Sequence, residues 1–259
     1  MKNAERPVAF FDSGLGGISV LRAARRALPH ENYIYYGDSA NAPYGTKSPA
    51  EIRRLAGVVM EKVLALGAKA VVVACNTATG MAVDGLRQQY PEVPIIGVEP
   101  AVKPAVEAHP GGTVLVLATP MCLRGRRFRE LMERFSDAAE IVPVPCGGLM
   151  EFVERGELEG AALQSYLGEK LAPWQGRRVD AAVLGCTHYP FLRNAIAGVL
   201  GPEAEILDGN AGVTAQLRRR LEEMELLNPG TETGAVDFYN SLDDPAILDL
   251  SRMLLELPE

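Results

Sequence analysis

Short apolar, β-branched runs alternate along the chain with longer stretches whose apolar positions recur at helical spacing. The runs fall at residues 7–12, 33–37, 71–74, 93–98, 113–118, 140–145, 182–184 and 235–239. Helical patterns are predicted over about 18–28, 49–66, 78–90, a stretch ending near His109, 123–135, a short piece carrying Glu151 and Glu154, 158–173, 191–200, 212–225 and the last residues. Several runs are apolar at every position, as in parallel strands buried on both faces. Strand followed by helix, repeated, predicts an α/β fold with mainly parallel sheets flanked by helices.

Two of the runs end alike. Val71-Val72-Val73-Ala74 leads to Cys75-Asn76-Thr77, and Ala182-Val183-Leu184-Gly185 leads to Cys186-Thr187-His188. Each is an apolar strand, a cysteine, then polar residues opening a helical pattern. The carboxyl end of such a strand, beside a helix start, is where open α/β sheets bind ligands. The cysteines are 186 − 75 = 111 positions apart, so each is expected in its own half. A crossing at Glu99-Pro100 and a return near Gly209 divide the chain into residues 1–98 with 209–259, and 99–208. The expectation is two similar lobes with an active site in the cleft between them.

Composition narrows the class of function. The 259 residues are 47% apolar and 23% charged, ordinary for a globular protein. No apolar run approaches the ~20 residues of a membrane span, so no membrane partner is expected. The N-terminal residues lack the features of a signal peptide, which predicts a cytoplasmic protein. Net charge is 26 − 33 = −7. The arginines at 124, 126, 127 and 129, and at 218–220, read as solvated helix faces, and no nucleic-acid partner is expected. Four cysteines without a CxxC pair, and only three histidines, argue against a disulfide framework and a metal site.

Other turns add candidates. Asp12-Ser13-Gly14-Leu15-Gly16-Gly17 is a glycine-rich turn before a helix, which exposes N–H groups and favours an anion. It lacks the lysine of a P-loop. Asp12 is either a helix cap or a functional carboxylate. The loop Asn41-Ala42-Pro43-Tyr44-Gly45 is rich in turn formers. An aromatic exposed there, Tyr44, would serve binding.

Two thiols at matched strand ends suit one chemistry well. A thiolate removes a proton from a carbon, and the opposite thiol returns one to the other face. A stereocentre is inverted with no cofactor. A helix start or a neighbouring base favours the thiolate. His188 could prime Cys186, and Asp12 could prime Cys75. A single cysteine at a strand end is most often a small buried hydrophobe; two in matched settings shift the balance to function. Asn76, Thr77 and Thr187 can cap helices and bind an anion with the same atoms. Cys122 and Cys146 lack the matched setting and read as structural. His30 and His109 read as solvated.

Four blocks carry a family resemblance: Phe-Asp-Ser-Gly-Leu-Gly-Gly, Gly-Asp-Ser-Ala-Asn-Ala-Pro-Tyr-Gly, Ala-Cys-Asn-Thr-Ala-Thr and Leu-Gly-Cys-Thr-His-Tyr-Pro. In order and content they resemble the signature blocks of the glutamate racemases, of the aspartate/glutamate racemase superfamily, over nearly the whole chain. The resemblance implies two α/β lobes closing on the substrate. It implies pyridoxal-phosphate-independent, two-base interconversion of L- and D-glutamate, supplying D-glutamate for peptidoglycan, commonly by a homodimer. Cys75 matches the base acting on the D-isomer and Cys186 that acting on the L-isomer. Asp12 and His188 match groups assisting those thiols, and Glu154 matches a glutamate implicated in proton handling. Ser13, Pro43, Tyr44, Gly45, Asn76, Thr77, Thr119 and Thr187 fall at substrate-holding positions.

One block departs from the family. Thr119 is kept, but Cys122 stands where a second substrate-contacting threonine is usual. A thiol is the weaker hydrogen-bond donor, and losing one such contact costs on the order of 1 kcal/mol. The departure keeps another acidic substrate, such as aspartate, in view. A cysteine hydrolase built on Cys186 and His188 would leave Cys75 idle, and two residues so close in sequence need not be within hydrogen-bond reach. A two-lobed binding protein would need the turns but not the thiols.

Overall fold

The computed structural model describes residues 3–258. The elements run in chain order. β1 (Val8–Asp12), α1 (Ile18–Ala27), β2 (Tyr33–Gly37), α2 (Pro49–Ala65), β3 (Ala70–Val73), α3 (Asn76–Gln89) and β4 (Ile95–Gly97) come first. Next are α4 (Val102–Ala108), β5 (Thr113–Ala118), α5 (Pro120–Arg124), α6 (Arg126–Phe135), β6 (Glu140–Pro145), α7 (Leu149–Glu154), α8 (Ala161–Leu171), β7 (Ala181–Leu184), α9 (Arg193–Leu200) and β8 (Glu205–Asp208). Last are α10 (Asn210–Glu223), β9 (Val236–Asn240) and α11 (Pro245–Glu256). Two compact units result, one of Met1–Val98 with Asn210–Glu259, the other of Glu99–Gly209.

Each unit has its own sheet, and every strand pairing is parallel. The first sheet has the order β4-β3-β1-β2-β9 and the second β6-β5-β7-β8. Sequence pattern and position agree. The central strands β1 and β3 are buried at every residue. β6 carries Pro143 and Pro145, which cannot donate to a ladder, and it lies at an edge. In the second unit, Val114, Val116, Ala181 and Val183 pack against Val102, Val106 and Phe128 from the helices.

Strand order places the sites. In the first sheet β1 and β3 are neighbours, yet the chain leaves β1 toward β2 and leaves β3 toward β4, on the other side. In the second sheet the neighbours β5 and β7 lead to β6 and β8, again to opposite sides. Such switch points open a crevice at the strands' carboxyl ends. Cys75 follows β3 and Cys186 follows β7.

The structure corrects several boundaries. The basic helix expected over 123–135 is two helices, α5 and α6, separated by Gly125 in extended backbone. The first starts early because Thr119 caps it and Pro120 sits in its first turn. α3 begins at Asn76, directly after Cys75, whereas α9 begins only at Arg193, after a turn and the 3-10 helix Tyr189–Leu192. The two cysteine turns are therefore not equivalent. The arginines of both clusters are exposed or half-buried, as solvated faces require. His30 is exposed, but His109 is half-buried, its Nε2 in a 2.6 Å hydrogen bond with Glu205 Oε2.

At the opposite strand ends of the first sheet lies a buried ion pair. Lys69 Nζ, just before β3, meets Glu31 Oε2, just before β2, at 2.5 Å, with side chains 0% and 2% exposed. Lys69 also donates to the Ala4 carbonyl, and the Asn228 N–H donates to Glu31 Oε1. Every charge there has a partner, as burial demands.

Candidate active site

In the first unit the turn after β1 closes on the turn after β3. The Gly17 N–H donates to Asp12 Oδ2 at 2.8 Å, so the anion drawn to this glycine-rich turn is the chain's own carboxylate. A side chain on Gly17 would put its Cβ 2.8 Å from that of Ala74, so only glycine allows this approach to the Cys75 turn. Asp12 is fully buried. Its Oδ1 accepts from the Ser13 hydroxyl at 3.5 Å, and Ser13 Oγ in turn accepts from Cys75 Sγ at 3.6 Å. Cys75 is itself the N-cap of α3, its sulfur accepting from the Ala78 N–H at 3.5 Å. This is an arrangement that favours a thiolate. Asp12 thus does not cap α1, whose N-cap is Gly17.

The loop after β2 joins the same group. Asp38 is 3% exposed and accepts from the Tyr44 hydroxyl at 2.7 Å and from Asn41 Nδ2 at 3.0 and 3.1 Å. Tyr44 is buried, not exposed as its loop composition predicts. Burial, the hydrogen bond to Asp38 and the nearby charges of Asp38, Cys75 and Asp12 push its phenol well above its ordinary range. It stays a donor. Pro43 and Gly45, on either side, are half-buried. Thr77 is 6% exposed, and the buried Oδ1 of Asn76 has no hydrogen-bond partner. A buried acceptor without a donor is costly, and a polar ligand would relieve it.

The second unit solves the same problem with a side chain instead of a helix start. Gly185 lets β7 and β5 approach, since a Cβ there would lie 2.9 Å from that of Ala118. Cys186 Sγ lies 3.7 Å from His188 Nδ1, and His188 Nε2 lies 2.6 Å from Glu154 Oε1 at the end of α7. His188 is 2% exposed. Burial alone would favour its neutral ring, but the hydrogen bonds with Cys186 and Glu154 outweigh burial and hold it well above 6.5. The exposed Glu151 is a turn away from Glu154 on α7, and only Glu154 reaches the imidazole. Thr187 is 4% exposed, and the buried Thr119 caps α5 by accepting from the Cys122 N–H at 3.3 Å. Cys146 is fully buried, and burial pushes its thiol up to about 12. Such a thiol is inert at neutral pH.

Cys186 and His188 are therefore within reach of each other, and the steric objection to a cysteine hydrolase falls. That reading still leaves the Cys75, Ser13 and Asp12 group unexplained. Two residues went unnoticed from sequence. Asp38 directly follows the parallel strand β2, a signal in itself. Tyr189 donates its hydroxyl to the Cys146 carbonyl at 2.5 Å, a pairing that no local pattern reveals. Among the described residues no group of three His, Cys, Asp or Glu side chains could hold a metal ion, and no helix is long and apolar enough to cross a membrane.

Comparison with known proteins identifies the family. Residues 18–217 match the family described as Asp/Glu/Hydantoin racemase. The glutamate racemase of Clostridium perfringens is 49% identical over 257 residues, 99% of this chain and 98% of the relative. A crystal structure of glutamate racemase from Francisella tularensis in complex with D-glutamate superposes with a TM-score of 0.83 at 29% identity, covering 98% of this chain and 95% of that one. The Escherichia coli glutamate racemase, in complex with L-glutamate and the activator UDP-MurNAc-ala, gives a TM-score of 0.84 at 30% identity, covering 96% and 95%. The chain accordingly belongs to the Asp/Glu/Hydantoin racemase family and, within it, to the glutamate racemases.

Proposed function

We propose that this protein interconverts L- and D-glutamate by a two-thiol mechanism without pyridoxal phosphate, and so supplies D-glutamate for peptidoglycan. One observation carries the reading. The switch point of each sheet holds a thiol with a proton-handling neighbour, on a chain matched end to end by glutamate racemases. In one direction the Cys75 thiolate removes the Cα proton of D-glutamate. The Cys186 thiol then protonates the opposite face to give L-glutamate. In the other direction the roles exchange, and no net proton is gained or lost.

The surroundings support distinct roles. The helix start stabilises charge on Cys75, while Ser13 accepts the thiol's hydrogen bond and donates to Asp12, a path for the proton the sulfur gives up. When Cys186 acts as the base, His188 takes its thiol proton and Glu154 supports the imidazolium; in the other direction the ring returns the proton to the sulfur, which delivers it to the carbon. Ser13, Pro43, Tyr44, Gly45, Asn76, Thr77, Thr119 and Thr187 hold the substrate, and the unpaired Asn76 Oδ1 awaits a ligand donor. The protein works as a cytoplasmic homodimer.

Incubation of either glutamate enantiomer in D2O tests the reading. Optical rotation should decay to zero while deuterium enters Cα. Unchanged rotation with either enantiomer sinks the proposal, and faster decay with aspartate replaces glutamate as the substrate.

A further inference from the structure

We propose that Tyr189 is a positioning residue for the Cys186 half of the reaction, holding the imidazole of His188 in line with the sulfur. The inference rests on the two-thiol reading above and adds a residue to it. Tyr189 follows His188 directly and is fully buried. Its N–H donates to the Cys186 carbonyl at 3.0 Å. Its hydroxyl crosses to the Cys146 carbonyl at 2.5 Å. That carbonyl also accepts from the Leu149 N–H at 3.2 Å, at the first residue of α7.

The other end of α7 carries Glu154, which holds His188. The turn after β7 is thus tied to both ends of one short helix, by Tyr189 at its start and His188 at its end. A six-residue helix is only about 9 Å long, so a shift at its start is felt at its end. The contact it governs has little slack. At 3.7 Å the sulfur and Nδ1 are near the limit of a hydrogen bond, and a small displacement separates them. Burial, then the charges of Cys186 and Cys146, push the Tyr189 phenol well above its ordinary range. The hydroxyl therefore remains a donor and takes no part in proton transfer.

Tyr189→Phe removes the tie and keeps the packed ring, while Leu149 still satisfies the Cys146 carbonyl. Because enantiomers have an equilibrium constant of one, kcat/KM must fall equally in both directions, by on the order of tenfold. The diagnostic is the primary isotope effect on kcat/KM with substrate deuterated at Cα. Slowing the step at Cys186 should raise the effect with L-glutamate and lower it with D-glutamate. Replacement of Tyr189 by 4-aminophenylalanine, which restores a donor, should return both effects toward wild type. Isotope effects that stay unchanged, or move together, overturn the role of Tyr189 while leaving the racemase reading intact. Failure of both variants to fold also overturns it, since Tyr189 would then serve the fold alone. A wild-type protein that does not racemise glutamate overturns the underlying reading instead.

Discussion

Glu154 and His188, 34 residues apart in the chain, meet at 2.6 Å between Oε1 and Nε2. Burial favours the neutral ring, but the contact with Cys186 and this pair with Glu154 together raise the imidazole above its ordinary range. The folded-state value lies above 6.5, so the stabilisation is complete below about that pH and disappears as pH rises through the folded value. Imidazole NMR should show His188 charged at pH 7 in the wild type. In Glu154→Gln only burial and Cys186 remain, and the titration should move down, toward or below 6.5. An unmoved titration would show that Glu154 is not what charges the ring.

Cys75→Ser and Cys186→Ser should each lower kcat/KM by about 10²–10⁴-fold, the usual worth of a positioned acid or base. The loss must be the same in both directions for each variant. Cys146→Ser should stay within a few-fold of wild type, because that thiol is buried and protonated. Near-normal rates in both strand-end variants would remove the thiols from the mechanism.

Asp38 organises the loop that carries Pro43, Tyr44 and Gly45. Asp38→Asn replaces one acceptor oxygen with a donor facing the Tyr44 hydroxyl or Asn41. Charge-assisted hydrogen bonds of this kind are worth roughly 1.5–3 kcal/mol. Steady-state kinetics should show KM raised about tenfold or more, with a smaller change in kcat. A variant with wild-type KM would show that the loop holds its shape without the carboxylate.

Cys122 lies in the first turn of α5, where the family resemblance leads one to expect a second substrate-contacting threonine. Cys122→Thr should lower KM for glutamate by up to about fivefold, the equivalent of about 1 kcal/mol from one hydroxyl contact. A rise in KM would mark the cysteine as an adaptation to a different ligand.

The Lys69–Glu31 pair lies far along the strands from Cys75 and bears on stability alone. Glu31→Ala strands a buried ammonium and should cost about 3–5 kcal/mol. Thermal unfolding measures this, and a Tm within a degree of wild type would mean that water reaches Lys69.

Much of this was legible from the chain. Runs such as Val71–Val73 and Leu115–Leu117 are β-branched or aliphatic throughout, and burial on both faces requires that. The proline-bearing strand fell at an edge for the same local reason. Both cysteines stood out because an apolar run stops at them. What local pattern could not supply is pairing across sequence. Tyr44 looked exposed because its neighbours are turn formers, yet Asp38 draws it inside. The turns after Cys75 and Cys186 read alike in composition, but one enters a helix at once and the other delays, leaving room for His188. The basic stretch broke at Gly125 because Thr119 and Pro120 start a helix earlier than periodicity implied.

The first sheet is completed late. Its strand β9 pairs with β2, but the whole of the second unit lies between them in the chain. As the ribosome makes residues 99–209, the edge of β2 stands open, with its N–H and C=O groups unmatched. The second unit, being continuous, can fold by itself on the nascent polypeptide while the first waits for its last segment. Slow release of the C-terminal segment, or its loss, would therefore leave an aggregation-prone edge beside an otherwise finished unit.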